Sequence, residues 1–314
     1  MTAPEVQRHR DAFRRDPLIL LWGLPEEGPL AAVRHVLQTL GAETIMVDQR
    51  RALSTHVRML PGGPLLRLPD RVLPLSEVTA VYPRPYPPPL RQFRDDSPAA
   101  LVARRHVARL EHALWQWTTS TTATVVNRPG PAANNSTKPL QTRAASACGF
   151  HVPDSLVTND LEKLRAFADR HGLVVYKAVG GTRTFTGLLD LADVRRLQRL
   201  STCPTYFQQH IAGTNVRVHV VGEDIFAVEI TSDAVDYRKH VRDMSSISLP
   251  GVVAEKCKTI VKTLELLVSG IDLIRTPHDE WYFLEANPSP AFTYYPDRDE
   301  VGAAIARLLI NPPS

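Results

Sequence analysis

The chain has 314 residues, 43% hydrophobic and 22% charged, with a formal net charge of +4 and a pI near 9.0. That length supports two or three domains with a sizeable core. No apolar run approaches the roughly 18 residues of a membrane span, and the opening "MTAPEVQRHRDAFRRDP" lacks the apolar stretch of a secretory signal. Cys148, Cys203 and Cys257 have no metal-ligand spacing and read as reduced thiols, so a cytoplasmic chain is expected. Arginines are scattered without a dense run or interleaved aromatics, which argues against nucleic acid as a partner. The weak positive balance suits an acidic or phosphorylated small ligand better.

In chain order, the apolar run "LILLWGL" (18–24) predicts a strand, "PLAAVRHVLQTLG" a helix and "AETIMVD" a second strand, a βαβ-like start. Gly23 and Gly28 do not complete a dinucleotide fingerprint. Residues 52–76 read as small β elements with turns at "PGGP" and "LPD", and "VTAVYPRPYPPPL" as a strand entering an extended proline-rich loop. Helical spacing marks 99–117, and "TTSTTATVVN" reads as a threonine-rich strand. The loop "NRPGPAANNS" (127–136) looks like a domain boundary.

Beyond it, "STKPLQTRAASACG" predicts a helix capped by Ser136 or Thr137. "HVPDSLVTND" reads as a strand leading into a helix capped by Asn159 or Asp160. "LVVYKAVGGTRTFTG" is a buried strand entering a Gly/Thr loop, and "TYFQQHI", "NVRVHVVG" and "DIFAVEI" are three further strands. A helix is expected at about 252–269, then "GIDLIR", a turn, "WYFLEANP" and a closing helix.

The chemistry concentrates in that last pair of strands. With Pro277 to Glu280 as a four-residue turn, Thr276 faces Trp281 and Asp272 falls opposite Glu285. Asn287, two positions on, shares their face. Two adjacent carboxylates repel unless neutralised, and a hard cation such as Mg²⁺ accepts such oxygens while keeping room for water and phosphate. The prolines of "NPSP" stop the ladder just past them. Lys177 ends an apolar strand before a glycine-containing loop, a pattern suited to phosphate. Lys138 opens a helix against its dipole, which a bound anion would relieve. Arg217 and His219 alternate with Val218 and Val220 and so share one face, and Arg238 sits in an expected loop. The polar end of "TYFQQHI" offers backbone groups that could pair with an adenine edge.

Taken in order, these segments resemble the ATP-grasp fold, within it the RimK-like carboxylate–amine ligases, and closely the ATP-grasp ligases that form ω-esters and ω-amides in ribosomal peptides, the graspetide type. The resemblance covers about 125–314 and rests on "NRPGPAANNSTKPLQTRAASACGFHVPDSLVTND", "VVYKAVGG", "YFQQHIAGTNVRVHVVG" and "GIDLIR…FLEANPSP". It implies an α/β (α+β) chain in three parts. These are an N-terminal pre-ATP-grasp α/β domain (1–125), a central subdomain (126–206) and a C-terminal subdomain with the metal hairpin (207–314), with nucleotide held between the last two.

By the same resemblance, Lys138, Lys177, Gly180, Gly181 and Thr182 would meet ATP phosphates, and Gln208, Gln209, His210 and Ile211 the adenine and ribose. Asp272, Glu285 and Asn287 would bind Mg²⁺, with Mn²⁺ as a substitute. Arg217 would face the phosphates and the acyl phosphate, with Arg238 nearer the acceptor carboxylate. The implied reaction activates a substrate carboxylate with ATP and joins it to an amine, as a homo-oligomer away from membranes. A peptide maturase forming ester or amide cross-links is the alternative, and a nucleotide-binding module without catalysis is the rival of a different class. Two positions depart from the family pattern: Asn215 stands where an acid is usual, and "GGTRTFTG" carries Arg183 and little glycine.

Overall fold

Leu18–Gly23 is apolar along its length, as a strand covered on both faces must be, and it forms β1 inside a parallel sheet in the computed structural model. The structure describes residues 17–86, 97–133, 137–177, 186–192, 202–232 and 240–312. The chain divides into two compact units, one containing residues up to Pro129 together with those from Gly302 onward, the other Gly130–Val301.

In the first unit β1 continues into α1 (Gly28–Thr39) and β2 (Glu43–Asp48), the expected βαβ start. A small antiparallel sheet follows, β3 (His56–Arg58), β4 (Leu65–Arg67) and β5 (Val72–Pro74). Then come β6 (Ala80–Arg84), α2 (Pro98–Ser120) and β7 (Thr124–Val125), and the parallel sheet runs β2-β1-β6-β7. Leu20, Trp22 and Val81 pack with Val107, Leu110, Leu114 and Trp117 of α2. Glu27 caps α1, its carboxylate accepting the Leu30 N–H at 2.8 Å while pairing with buried Arg84 at 2.8 Å.

The threonine-rich strand expected at 118–127 is mostly absent. Thr118, Thr119 and Ser120 extend α2, their hydroxyls donating to carbonyls three or four residues back, and only Thr124–Val125 pairs as strand. Arg128 then closes the helix end by donating to the carbonyls of Thr118, Thr121 and Ala123. Within the expected boundary loop a short helix spans Pro129–Ala132.

The second unit opens with α3 (Lys138–Ala147), with Thr137 at the cap position but making no side-chain capping bond. Strands β8 (Ser155–Thr158), β9 (Val174–Lys177), β10 (Gly187–Leu188) and β11 (Thr205–Gln209) form an antiparallel sheet ordered β10-β9-β11-β8. Helix α4 (Leu161–His171), capped by Asp160, packs Leu164 and Phe167 against Val174 and Phe207.

The second sheet of this unit is ordered β14-β13-β12-β15-β16, from β12 (Thr214–Val221), β13 (Asp224–Thr231), β14 (Asp243–Ile247), β15 (Val268–Arg275) and β16 (Trp281–Asn287). Strand β14 has no counterpart in the expected elements. Helix α5 (Gly251–Thr263) ends six residues before the expected 269. Glu265 turns left-handed at φ 55°, and pairing along all of β12 claims the chain from Val268. The last helix is α6 (Arg298–Ile310). No helix among the described residues is long and apolar enough to cross a membrane.

Candidate functional site

The faces of the five-stranded sheet follow from strand alternation. Val216, Val218 and Val220 of β12 pack with Val253, Cys257 and Ile260 of α5, so Arg217 and His219 project from the opposite face. On β15, Ile271 and Leu273 join that core and Asp272 does not. Strict alternation along β16 would fail, because Phe283 and Ala286 are both buried in the core although three residues apart. A β-bulge resolves this: Leu273 pairs with Phe283, but Asp272 pairs with Glu285, so Leu284 is the extra residue. The bulge places Glu285 and Asn287 on the face of Asp272 and Arg217.

The expected turn register is therefore corrected. Arg275, not Thr276, faces Trp281, and Thr276 instead donates its N–H to the Glu280 carbonyl at 2.9 Å. The pairing of Asp272 with Glu285 results because this one-residue offset and the bulge cancel.

Arg217 is 5% exposed and donates from Nη1 to Asp272 Oδ1 at 2.7 Å. Its Nε donates to His219 Nε2 at 3.4 Å, so Nε2 is the acceptor nitrogen of that ring. The ring proton then sits on Nδ1 and is donated to Asp297 Oδ2 at 2.9 Å. Burial lowers the His219 pKa from its ordinary value, opposed by the Asp297 hydrogen bond, which agrees with a neutral ring. Tyr295 meets the ring edge-on at 5.1 Å and lies 5.8 Å from the Arg217 guanidinium carbon. Gly270 explains how the guanidinium fits. A Cβ there would overlap the Arg217 guanidinium and lie 2.8 Å from Pro290 Cβ.

Among the described residues no basic group pairs with Glu285, and no three His, Cys, Asp or Glu side chains converge as a metal site. Two facing carboxylates with one amide oxygen remain. That donor set fits a hard cation that keeps several waters or phosphate oxygens, rather than one caged by protein. Asn287 Oδ1 already accepts the Ser289 N–H at 2.9 Å, with its second lone pair available to a ligand.

Lys138, at 9% exposure, begins α3. Lys177, at 8%, ends β9 opposite Tyr206 of β11, with no hydrogen-bonding or charged partner among the described residues. Gln208 is buried in β11. The N–H groups of Gln209 and His210 donate to the carbonyls of Asp154 and Leu173, so these two amides are not free for an adenine edge as expected. Burial lowers the His210 pKa, and Ile211 is partly buried. Asn215 is half-buried on β12 between Ile230 and Ile274. Gly180, Gly181, Thr182, Arg183 and Arg238 lie outside the described residues.

Three contributors were not singled out by sequence. Gly270 makes room for Arg217, and Asp297 steadies it through His219, which alternation already places beside it. Buried Gln141 bonds both backbone groups of Ala286 and ties α3 to β16. Gln141 had one legible signal, a polar side chain on the α3 face shared by Lys138 and Ala145. Asp297 had none.

No protein-family model matches the chain, and no curated protein does. Solved structures do. A macrocyclase from Microcystis aeruginosa, MdnC bound with its precursor peptide MdnA, superposes with a TM-score of 0.81 at 24% identity, covering 94% of this chain and 99% of that one. A RiPP-associated ATP-grasp ligase from Chryseobacterium gregarium, in complex with ADP and a leader and core peptide, gives 0.80 at 23%, covering 93% and 96%. The ATP-grasp ligase PsnB, complexed with minimal precursor, Mg and ADP, gives 0.76 at 28%, again over 93% and 96%. Over almost its whole length the chain has the fold of these ATP-grasp ligases.

Proposed function

We propose that the chain is a ligase that acts on a peptide, activating a side-chain carboxylate with ATP and Mg²⁺ and closing an ester or amide cross-link. The observation that carries the nucleotide–metal part is the Asp272–Glu285 pair, brought face to face by the bulge with Arg217 held on Asp272. The peptide part is supported by the neighbours named above, which match this chain over nearly their full length and whose structures hold a precursor, or a leader and core peptide.

In this reading Asp272, Glu285 and Asn287 hold Mg²⁺, which when bound neutralises charge on the ATP phosphates. Lys138 and Lys177 contact phosphate oxygens, with Gly180, Gly181 and Thr182 closing over them, while Gln208, Gln209, His210 and Ile211 line the base and ribose. The substrate carboxylate oxygen attacks the γ-phosphorus, the bond to ADP breaks, and an acyl phosphate forms. Arg217 stabilises negative charge developing on the phosphoryl group, with no covalent enzyme nucleophile required. The acceptor amine or hydroxyl then attacks the carbonyl carbon, loses its proton, and phosphate leaves. Arg238 belongs near the acceptor. The three-part division at 125 and 206, a cytoplasmic location and Mn²⁺ as a substitute metal complete the reading.

The test is thermal unfolding with ATP, with and without Mg²⁺. A ligand at about 100 times its Kd stabilises by about 2.7 kcal/mol. Wild type should show a Mg²⁺-dependent increase that Glu285→Gln largely removes; no such increase in wild type overturns the metal site. Peptide substrates are checked by mass: loss of one water per bond from a precursor peptide, but not from free amino acids, is the expected outcome.

A further inference from the structure

Among the described residues β16 is the outer strand of its sheet, and beyond the bridge at His151, whose carbonyl accepts the Phe283 N–H, one row of its backbone groups has no neighbouring strand. At Ala286, the residue between Glu285 and Asn287, that row is completed by a side chain. Gln141 Nε2 donates to the Ala286 carbonyl at 2.7 Å, and Gln141 Oε1 accepts the Ala286 N–H at 3.0 Å. A flipped amide would set donor against donor and acceptor against acceptor, so one orientation alone satisfies both bonds. Gln141 is 1% exposed and 145 residues away in sequence, so it contacts the strand only through the fold.

Gln141 also lies one turn after Lys138 on the same face of α3, with Ala145 a turn further on and fully buried. The helix that presents Lys138 is thereby fastened to Ala286, the one residue between two of the three proposed oxygen ligands. A water in place of Gln141 could satisfy Ala286 but could not transmit the position of the helix. We infer that Gln141 is a positioning residue, which sets the phosphate-facing lysine helix and the Glu285/Asn287 strand in fixed register so that nucleotide and metal bind as one unit. The inference rests on the nucleotide–metal reading above and adds to it a coupling between the two binding elements.

The test measures unfolding temperature of the full chain with ATP across a Mg²⁺ titration, which needs no peptide substrate. Gln141→Met keeps the side-chain length and removes both bonds. It should require at least tenfold more Mg²⁺ for half of the Mg²⁺-dependent shift. Gln141→Glu keeps the acceptor for the Ala286 N–H and should fall between Met and wild type, which preserves the test if the Met variant does not fold. Ala145→Gly, a destabilising change on the same buried helix face, should lower the unfolding temperature without moving the Mg²⁺ requirement. An unmoved requirement in both Gln141 variants, or an equal movement in Ala145→Gly, overturns the proposal. Glu285→Gln separates the two failures: if it moves the requirement and the Gln141 variants do not, the coupling alone falls. If none of them moves it, the metal reading falls as well.

Discussion

His219 is fully buried two residues from Arg217, and its protonation state has a consequence for stability. Its folded pKa is depressed by burial, while an unfolded histidine titrates near about 6.5. Below that value the unfolded chain takes up a proton that the folded chain does not. Its contribution is therefore complete above about pH 6.5 and is lost as the pH falls, by about 1.4 kcal/mol for each unit of depression. The expected result is a smaller drop in unfolding temperature between pH 7.5 and 5.5 for His219→Gln than for wild type. Equal drops would mean that other groups carry the acid sensitivity. Legibility was uneven at this scale. Alternation placed His219 beside Arg217, but the partner that sets its tautomer, Asp297, is 78 residues distant.

Elements show the same division between local and distant causes. In the first unit, Glu27 caps α1 and pairs with Arg84 at the end of β6, their side chains 6% and 9% exposed. Burial of Arg84 opposes its charged form, and the Glu27 carboxylate beside it is among the groups that nonetheless hold its pKa above the usual arginine range. Arg84→Met would leave a buried carboxylate without its cation, at a cost of about 3–5 kcal/mol. Chemical denaturation should show a lower midpoint, with the double variant Glu27→Gln, Arg84→Met recovering part of the loss. The capping role of Glu27 could not be read from "PEEGP", since an acidic pair before a helix leaves open which acid turns inward. Strand propensity fails at Thr118 and Thr119 because their hydroxyls bond to the Trp115 carbonyl in the preceding turn and continue the helix.

For the whole molecule, the chain leaves the first unit near Pro129 and rejoins it from Gly302. Ile305, Ala306 and Leu309 of α6 are fully buried, and removing a buried isoleucine side chain alone typically costs about 2–5 kcal/mol. A chain truncated after Val301 should lose the cooperative unfolding of the first unit. Three of the four tryptophans, Trp22, Trp115 and Trp117, lie in that unit, so intrinsic fluorescence reads the loss directly. A truncated chain that retains the wild-type fluorescence transition would show that the returning helix is dispensable.

What the amino-acid sequence determined alone is what acts over a few residues. Apolar periodicity marked most strands and helices, and the spacing of Asp272, Glu285 and Asn287 around a short turn marked one oxygen-rich face. Lys138 and Lys177 stood out because a charge at a helix start or the end of an apolar strand is locally costly to leave unanswered. Tertiary structure decided the rest. The Leu284 bulge exists because Phe283 and Ala286 must both enter one core while Glu285 stays out of it. Gln141 reaches Ala286, Asp297 reaches His219, and α6 returns to the first unit only once apolar faces have packed. Such contacts depend on how distant surfaces fit together, and no local propensity encodes that fit.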